Sequence, residues 1–307
     1  MSTAKVITIL HPSGTVNNIV NDASGNVAVG NNLTVAGTST ISGNVAVGNN
    51  LTVAGTSTIS GNETVTGTVA MGSSFKRNIL INGNYLINQR GYVSGTATAS
   101  GTYMHDRWKS TTTNSNYTFT QGTPDTTITI AAGTIAQIVE TVNVAGGVYT
   151  LSWTGTATAR IAINGGTTSG AYAASPITTS SATAGQTITV EFSTGTLGKV
   201  QLEPGTIATP YERQIYSDQL AQCQRYCYVA TLGAGGYGNG GATIAAYNGY
   251  AVTMRATPTL SAASITYVNA SGLSLDTITA FRFRQTWSVS GTGGTDVTYT
   301  LTATAEL

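Results

Sequence analysis

Few residues in this 307-residue chain are equipped for chemistry, because only 8% of them are charged. Glu140 and Glu191 could form a paired-carboxylate site of the kind that hydrolyses glycosidic bonds, where the two groups stand ~5–10 Å apart. Each lies in an alternating run, IVETV or TVEFS, opposite its apolar neighbours, so both read as solvated strand positions. His105 has neither a nucleophile context nor metal-ligating neighbours. Cys223 and Cys227 share a helical face with Cβ atoms aimed along the axis, so free, packed thiols are expected rather than a disulfide or a zinc site. What remains is recognition chemistry. Tyr237, Asn239, Tyr247, Asn248 and Tyr250 mix aromatic faces with amides among glycine-rich loops, and Arg282 and Arg284 share the polar side of a nearby strand. Rings stack on sugars, amides and guanidinium groups bind hydroxyls, and glycine lets backbone amides approach. These residues form the expected receptor-contacting set. No catalytic residue, metal or cofactor is expected.

The elements that position them begin with a repeat. Residues 25–42 read GNVAVGNNLTVAGTSTIS, and residues 43–60 repeat the same letters. Within each copy runs a period of six, continued as GNETVT and GTVAMG through residue 72. Its third and fifth positions are Val27/Val29, Leu33/Val35, Ser39/Ile41, Val45/Val47, Leu51/Val53, Ser57/Ile59, Glu63/Val65 and Val69/Met71. Alternation places them on one face of an extended strand, opposite Asn, Thr and Ser. Sequence copied verbatim sets a length, which reads as a shaft at 25–74. So thin an apolar stripe must be buried against copies of itself. Two architectures fit: three chains wrapped round one axis, or a left-handed β-helix with three hexads per coil. The second resembles the hexapeptide acyltransferases, but no histidine lies between His11 and His105 to act as base.

Composition sets the class. A net charge of +1 and 37 glycines among many Thr, Ser and Asn suit β-structure with tight turns. The missing basic stripe argues against nucleic acid. No stretch approaches the ~20 apolar residues of a membrane span, and Val6–Leu10 is too brief for a secretory core. At Phe75 the composition shifts to include aromatics. Short alternating runs follow, from YTFTQ to KVQLEPG, spaced for a β-sandwich of about eight strands. Tyr149, Leu151 and Trp153 point one way, as do Val190 and Phe192. YSDQLAQCQRYCY at 216–228 reads as a helix capped by Ser217, with Leu220, Cys223, Gln224 and Cys227 on one stripe. That stripe could meet its copies at a trimer axis or pack on its own sandwich. Beyond it, GAGGYGNGG, NASGLS and SGTGGTD read as flexible loops. Phe281, Phe283, Trp287 and Val289 share a core-facing side of the last strands.

The order NILINGNYLINQRG, HDRW and VQLEPGTIATPYERQIYSDQLAQCQRYCYV resembles a module of bacteriophage tail fibres and tail-fibre-like proteins, over residues 77–228. MRATPTL at 254–260 and the final AEL are similar to the distal part of the same proteins; Asn88 stands where members carry an aromatic residue. The resemblance implies a jelly-roll sandwich like those of carbohydrate-binding modules, in a trimeric virion fibre assembled in the host cytoplasm. From the residues themselves, Asp106 is expected to pair with Arg107, Trp108 to anchor the core, and Arg90, Glu203, Glu212 and Arg213 to pair with one another.

The expected fold is all-β with one short helix. Residues 1–24 would attach to a phage tail or baseplate protein, and 25–74 would form a trimeric β-helical or β-prism-like shaft. Residues 75–215 would form the jelly roll and 216–307 the helix and distal tip. The expected task is non-catalytic adhesion of a homotrimer to bacterial surface polysaccharide, without nucleic acid or membrane insertion. A tailspike depolymerase, which would need clustered carboxylates, and a bacterial trimeric adhesin, which would need an export signal, are the alternatives.

Overall fold

The computed structural model describes residues 9–10, 17–21, 27–29, 32–55, 57–60, 76–165 and 170–307. The chain divides into two compact units, Met1–Val69 and Ala70–Leu307.

The first unit holds an antiparallel sheet of β1 (Ile9–Leu10), β2 (Asn17–Asn21) and β3 (Val27–Val29), in that order. Ile19 pairs with Val29 and Asn21 with Val27, so the first hexad enters a ladder. The described hexads beyond it do not. Residues 32–55 and 57–60 are in no strand or helix, so these described hexads do not show the expected β-helical or β-prism layers. The aliphatic stripe Leu33, Val35, Ile41, Val45, Val47, Leu51, Val53 and Ile59 is 47–74% exposed. The physical reason is the absence of a neighbour, since a strand persists only where another chain segment satisfies its N–H and C=O groups. The expected attachment segment at 1–24 is described only at 9–10 and 17–21, and the last two hexads lie outside the described residues.

The second unit opens with a β-sandwich. Its strands are β4 (Lys109–Ser110), β5 (Asn116–Phe119), β6 (Ile128–Ala132), β7 (Ile135–Val139), β8 (Tyr149–Thr154), β9 (Ala159–Ile163), β10 (Ile177–Thr178), β11 (Ile188–Phe192) and β12 (Gly195–Pro204). One sheet has the order β10-β8-β12-β6-β5 and the other β4-β7-β11-β9, with every pairing antiparallel. Apart from β5 to β6, each connection crosses from one sheet to the other, in the manner of a jelly roll. Trp108, Tyr117, Leu151, Trp153, Val190, Phe192 and Leu202 fill the space between the sheets. Trp108 is the anchor its size predicts, packed edge-on against Phe192 and donating Nε1–H to the Asn82 carbonyl at 2.9 Å. Beside it, Gly83 lets two backbones touch: a Cβ there would lie 2.1 Å from the Val200 carbonyl oxygen.

Helix α1 (Tyr216–Gln224) follows, shorter than expected. Ile215 holds the N-cap without a side-chain bond, so Ser217 is not the cap, and the buried residues are Gln219 and Cys223. Cys227 already belongs to the next strand. The helix packs on its own sandwich, with Cys223 and Tyr226 against Ile81 and Ile87. Both thiols are free and buried, and burial pushes that of Cys227 up to about 12.

The remainder is a second, smaller sandwich of β13 (Cys227–Gly238), β14 (Thr243–Gly249), β15 (Thr259–Val268), β16 (Ala270–Asp276), β17 (Arg282–Val289) and β18 (Gly293–Thr304). Its sheets are β13-β18-β15 and β14-β17-β16. Phe283 and Trp287 from one sheet meet Val297, Tyr299 and Leu301 from the other. Trp287 is core, as its alternation predicts; Phe281 precedes the strand and stays exposed. Much of the glycine-rich sequence is strand rather than flexible loop. Gly233, Gly235 and Gly236 lie in β13, and Ala270–Ser274 in β16. Gly236 serves close packing, since a Cβ there would come within 2.7 Å of the Ile244 side chain. Among the described residues no helix is long and apolar enough to cross a membrane.

Candidate functional site

Residues of the NQRG and HDRW segments converge with the C-terminal AEL on one buried polar junction. Arg107 has a positive φ of 71°, an uncommon conformation for a non-glycine residue, which turns its side chain away from that of Asp106. The expected pair therefore does not form. Arg107 instead binds Glu306 and the Ile138 carbonyl, and its guanidinium lies 3.7 Å from the centre of the Tyr226 ring. Arg90 binds the other Glu306 oxygen at 2.9 Å. Arg255, from MRATPTL, donates to the carbonyls of Ala305 and Glu306. Tyr103 donates to the Leu307 carbonyl. Asp106 accepts from the Gln89 backbone N–H and side chain, and Gln89 also donates to the Cys227 carbonyl.

The other expected pairs also find different partners. Arg213 takes Asp125, Glu203 takes Thr209 and Arg77, and Glu212 accepts from the backbone of Lys76 and Asn78. All but the Glu203–Thr209 bond join segments far apart in sequence, which adjacency cannot foretell. These motifs fasten the fold.

His105 and Asp106 sit side by side here with opposed titrations. The His105 Nδ1 lies 2.7 Å from the Tyr117 hydroxyl, and burial pushes the imidazole down to about 4. Its contribution to stability is present above pH ~6.5 and lost as pH falls toward 4. Burial pushes Asp106 up to about 6 against the Gln89 and Arg90 contacts that lower it. Its contribution is present below about pH 4 and lost as pH rises through about 6. The two offset across that window. His105→Gln should therefore gain stability, relative to its own value at pH 7, when acidified to pH 4.5. Thermal melting of variant and parent across pH 4.5–7 checks this; identical slopes would refute it.

Glu140 and Glu191 are not solvated strand positions. Arg225 and Tyr226 hold Glu140, and Arg160 and Tyr172 hold Glu191, which is 4% exposed. Glu191 pairs across the ladder with Ala136, four residues from Glu140, which puts the two about 13 Å apart along the strand. That exceeds the spacing of a paired-carboxylate site. Among the described residues no group of three or more His, Cys, Asp or Glu side chains is placed to hold a metal ion.

The expected receptor set is only partly gathered. Tyr247 in β14 pairs with Arg284 in β17, and Gly249 pairs with Arg282, so the ring and both guanidinium groups share one outer face. Arg282 lies 5.1 Å from the Tyr247 ring centre and 5.6 Å from that of Phe281. Arg284 is held by Asp276 at 2.6 and 2.9 Å, leaving Arg282 the less engaged cation. Tyr247 and Phe281 are both more than half exposed. Tyr237 and Asn239 lie at the other end of β14, where Tyr237 pairs with Gly294. Asn248 points to the opposite side of β14 from Tyr247 and is half-buried. Tyr250 stacks on Phe283 at 5.6 Å and meets Tyr228 edge-on, forming part of the core wall. Sequence reading left out Asp276 and Phe281; the Asp276–Arg284 pair spans a strand connection that carries no local signal.

No protein-family model and no curated protein matches the chain. Among solved structures, the native recombinant discoidin II of Dictyostelium discoideum aligns at 11% identity over 76% of this chain and 94% of that one, with a TM-score of 0.22. The wild-type discoidin II structure aligns at 10% identity over 76% and 92%, again with a TM-score of 0.22. So loose a superposition supports no transfer of function.

Proposed function

We propose that this chain is a non-catalytic fibre protein of a bacteriophage virion, working as a homotrimer that adheres to bacterial surface polysaccharide. The observation that carries the reading is the exposed aliphatic stripe, repeated every six residues from Leu33 to Ile59 and left uncovered by the described residues. Burying such a side chain stabilises by about 1.5–3 kcal/mol relative to full exposure, so sequestering the stripe is worth on the order of 10 kcal/mol per chain. Copies of the same stripe are the natural cover, because a period of six matches itself in register. Neutral Thr, Ser and Asn on the other face keep the assembled rod wettable.

Adhesion belongs in this reading to the Tyr247, Phe281, Arg282 and Arg284 face, where exposed rings stand beside guanidinium donors. Single sugar contacts are weak, and three linked copies raise avidity by about 10²–10⁴. The N-terminal segment would then join a tail or baseplate protein.

Sedimentation equilibrium of the full chain is expected to give three times its 31.4 kDa mass. Arg282→Ala and Tyr247→Ala together should lower adsorption to host cells at least tenfold while leaving that mass unchanged. A well-folded monomer would sink the fibre reading, and sugar release from purified polysaccharide would replace adhesion by depolymerisation.

A further inference from the structure

Strands β14, β17 and β16 form one sheet, and their registers fix which side chains look away from the core. Tyr247 pairs with Arg284, Arg284 with Asp276, and Gly249 with Arg282. All of these stand on the outer side, opposite the buried Phe283, Gln285 and Trp287. Along β17 the same side continues through Thr286 and Ser288, at steps of about 6.8 Å, and adds only hydroxyls.

The three strands carry three charged residues, and two of them cancel. Arg284 donates from Nε and Nη2 to the two oxygens of Asp276, at 2.6 and 2.9 Å. The Thr277 hydroxyl donates to the same carboxylate. Arg282 has no such partner. Among the described residues it meets only the rings of Tyr247 and Phe281, at 5.1 and 5.6 Å from their centres, and it is itself exposed. A guanidinium has five N–H donors, and here no carboxylate or carbonyl engages them. One positive charge is therefore left over on this face, held between two rings that are 57% and 56% exposed. A neutral sugar can use the rings and the hydroxyls but leaves that charge to water. An anionic sugar adds charge-assisted, two-pronged hydrogen bonds to the guanidinium.

We propose that the Tyr247 face selects a sugar unit bearing an anionic group, a carboxylate or a phosphate, which Arg282 receives. The sugar ring stacks on Tyr247 or Phe281, and the glycan continues over Thr286 and Ser288. This inference rests on the adhesion reading of the same face and narrows it to acidic polysaccharide.

Saturation-transfer NMR on the full chain tests it, with methyl glucuronide, glucose 6-phosphate and methyl glucoside as probes at equal concentration. At least one charged probe should receive fivefold more transfer than the glucoside, and the probe that does so identifies the anion. Raising salt from about 50 to about 500 mM should shrink that excess at least threefold, because the contact is open to solvent. Arg282→Gln removes the charge without breaking an ion pair. It should bring the charged probes to within twofold of the glucoside, with the melting temperature unchanged. Asp276→Asn frees Arg284 and should at least double the excess. Equal transfer to charged and neutral probes, lost alike in Tyr247→Ala, would overturn acid selection and leave tip adhesion standing. No transfer to any probe would overturn both. An excess that survives Arg282→Gln, or that falls in Asp276→Asn, would overturn the assignment to Arg282.

Discussion

Replacing Glu306 with alanine is expected to lower folding stability by about 3–5 kcal/mol, the cost of breaking a buried ion pair from one side. Its carboxylate is the shared partner of Arg90 and Arg107, and the Arg107 side chain is 2% exposed. Without it, Arg107 keeps the Ile138 carbonyl and the Tyr226 ring but no countercharge. Asp276→Ala provides the contrast, because its partner Arg284 is open to water and exposed pairs contribute little. Urea unfolding of the two variants should separate them clearly. Equal, small shifts would mean that residues 305–307 do not close onto the sandwich in solution.

Trp108→Ala should be comparably severe, about 3–5 kcal/mol, for a different reason. The ring fills the centre of the first sandwich between Tyr85 and Phe192, so truncation leaves a cavity. It also removes the indole N–H from the Asn82 carbonyl, which keeps only the Tyr85 backbone N–H. Asn82 is a hub: its side chain donates to the Ile87 and Asp106 carbonyls and accepts from the Ile87 backbone. Trp108→Phe separates the two effects, since it keeps most of the packing and loses the bond, costing about 0.5–1.5 kcal/mol because the acceptor keeps the Tyr85 N–H. A Trp108→Phe loss equal to that of alanine would show that the hydrogen bond, not volume, dominates.

Alternation and bulk made some of this legible in the sequence. Trp287, Tyr149, Leu151 and Trp153 are buried where a period of two places them, because inward strand positions need only be large and apolar. Polar assignments fared worse. Every residue of β11 is buried, Glu191 included, because Arg160 on the neighbouring strand neutralises it and turns a position that reads as solvated into an interior one. Asp106 and Arg107 are adjacent, yet their partners lie 17 and 199 positions away. Pairings of that range depend on topology, which no local window contains. The expected receptor set followed the same logic. Tyr247, Arg282 and Arg284 meet because β14 and β17 are neighbours, whereas Tyr237 lies in the other sheet and Tyr250 turns inward. For the repeat, the period was plain from the letters, whereas the described hexads beyond Val29 enter no ladder.

The closure at Glu306 has a consequence for how the protein could diversify. Chain entry to the second sandwich at Cys227 and exit at Thr304 are paired in one ladder, and the adjoining residues are pinned to the first sandwich through Gln89, Arg90 and Arg107. Everything from β13 to β18 therefore leaves and returns through a single doorway. Such a cassette can be exchanged for another of unrelated sequence so long as the stems still meet, because the frame behind the doorway keeps its own core. New surface chemistry could be grafted there without redesigning the first sandwich.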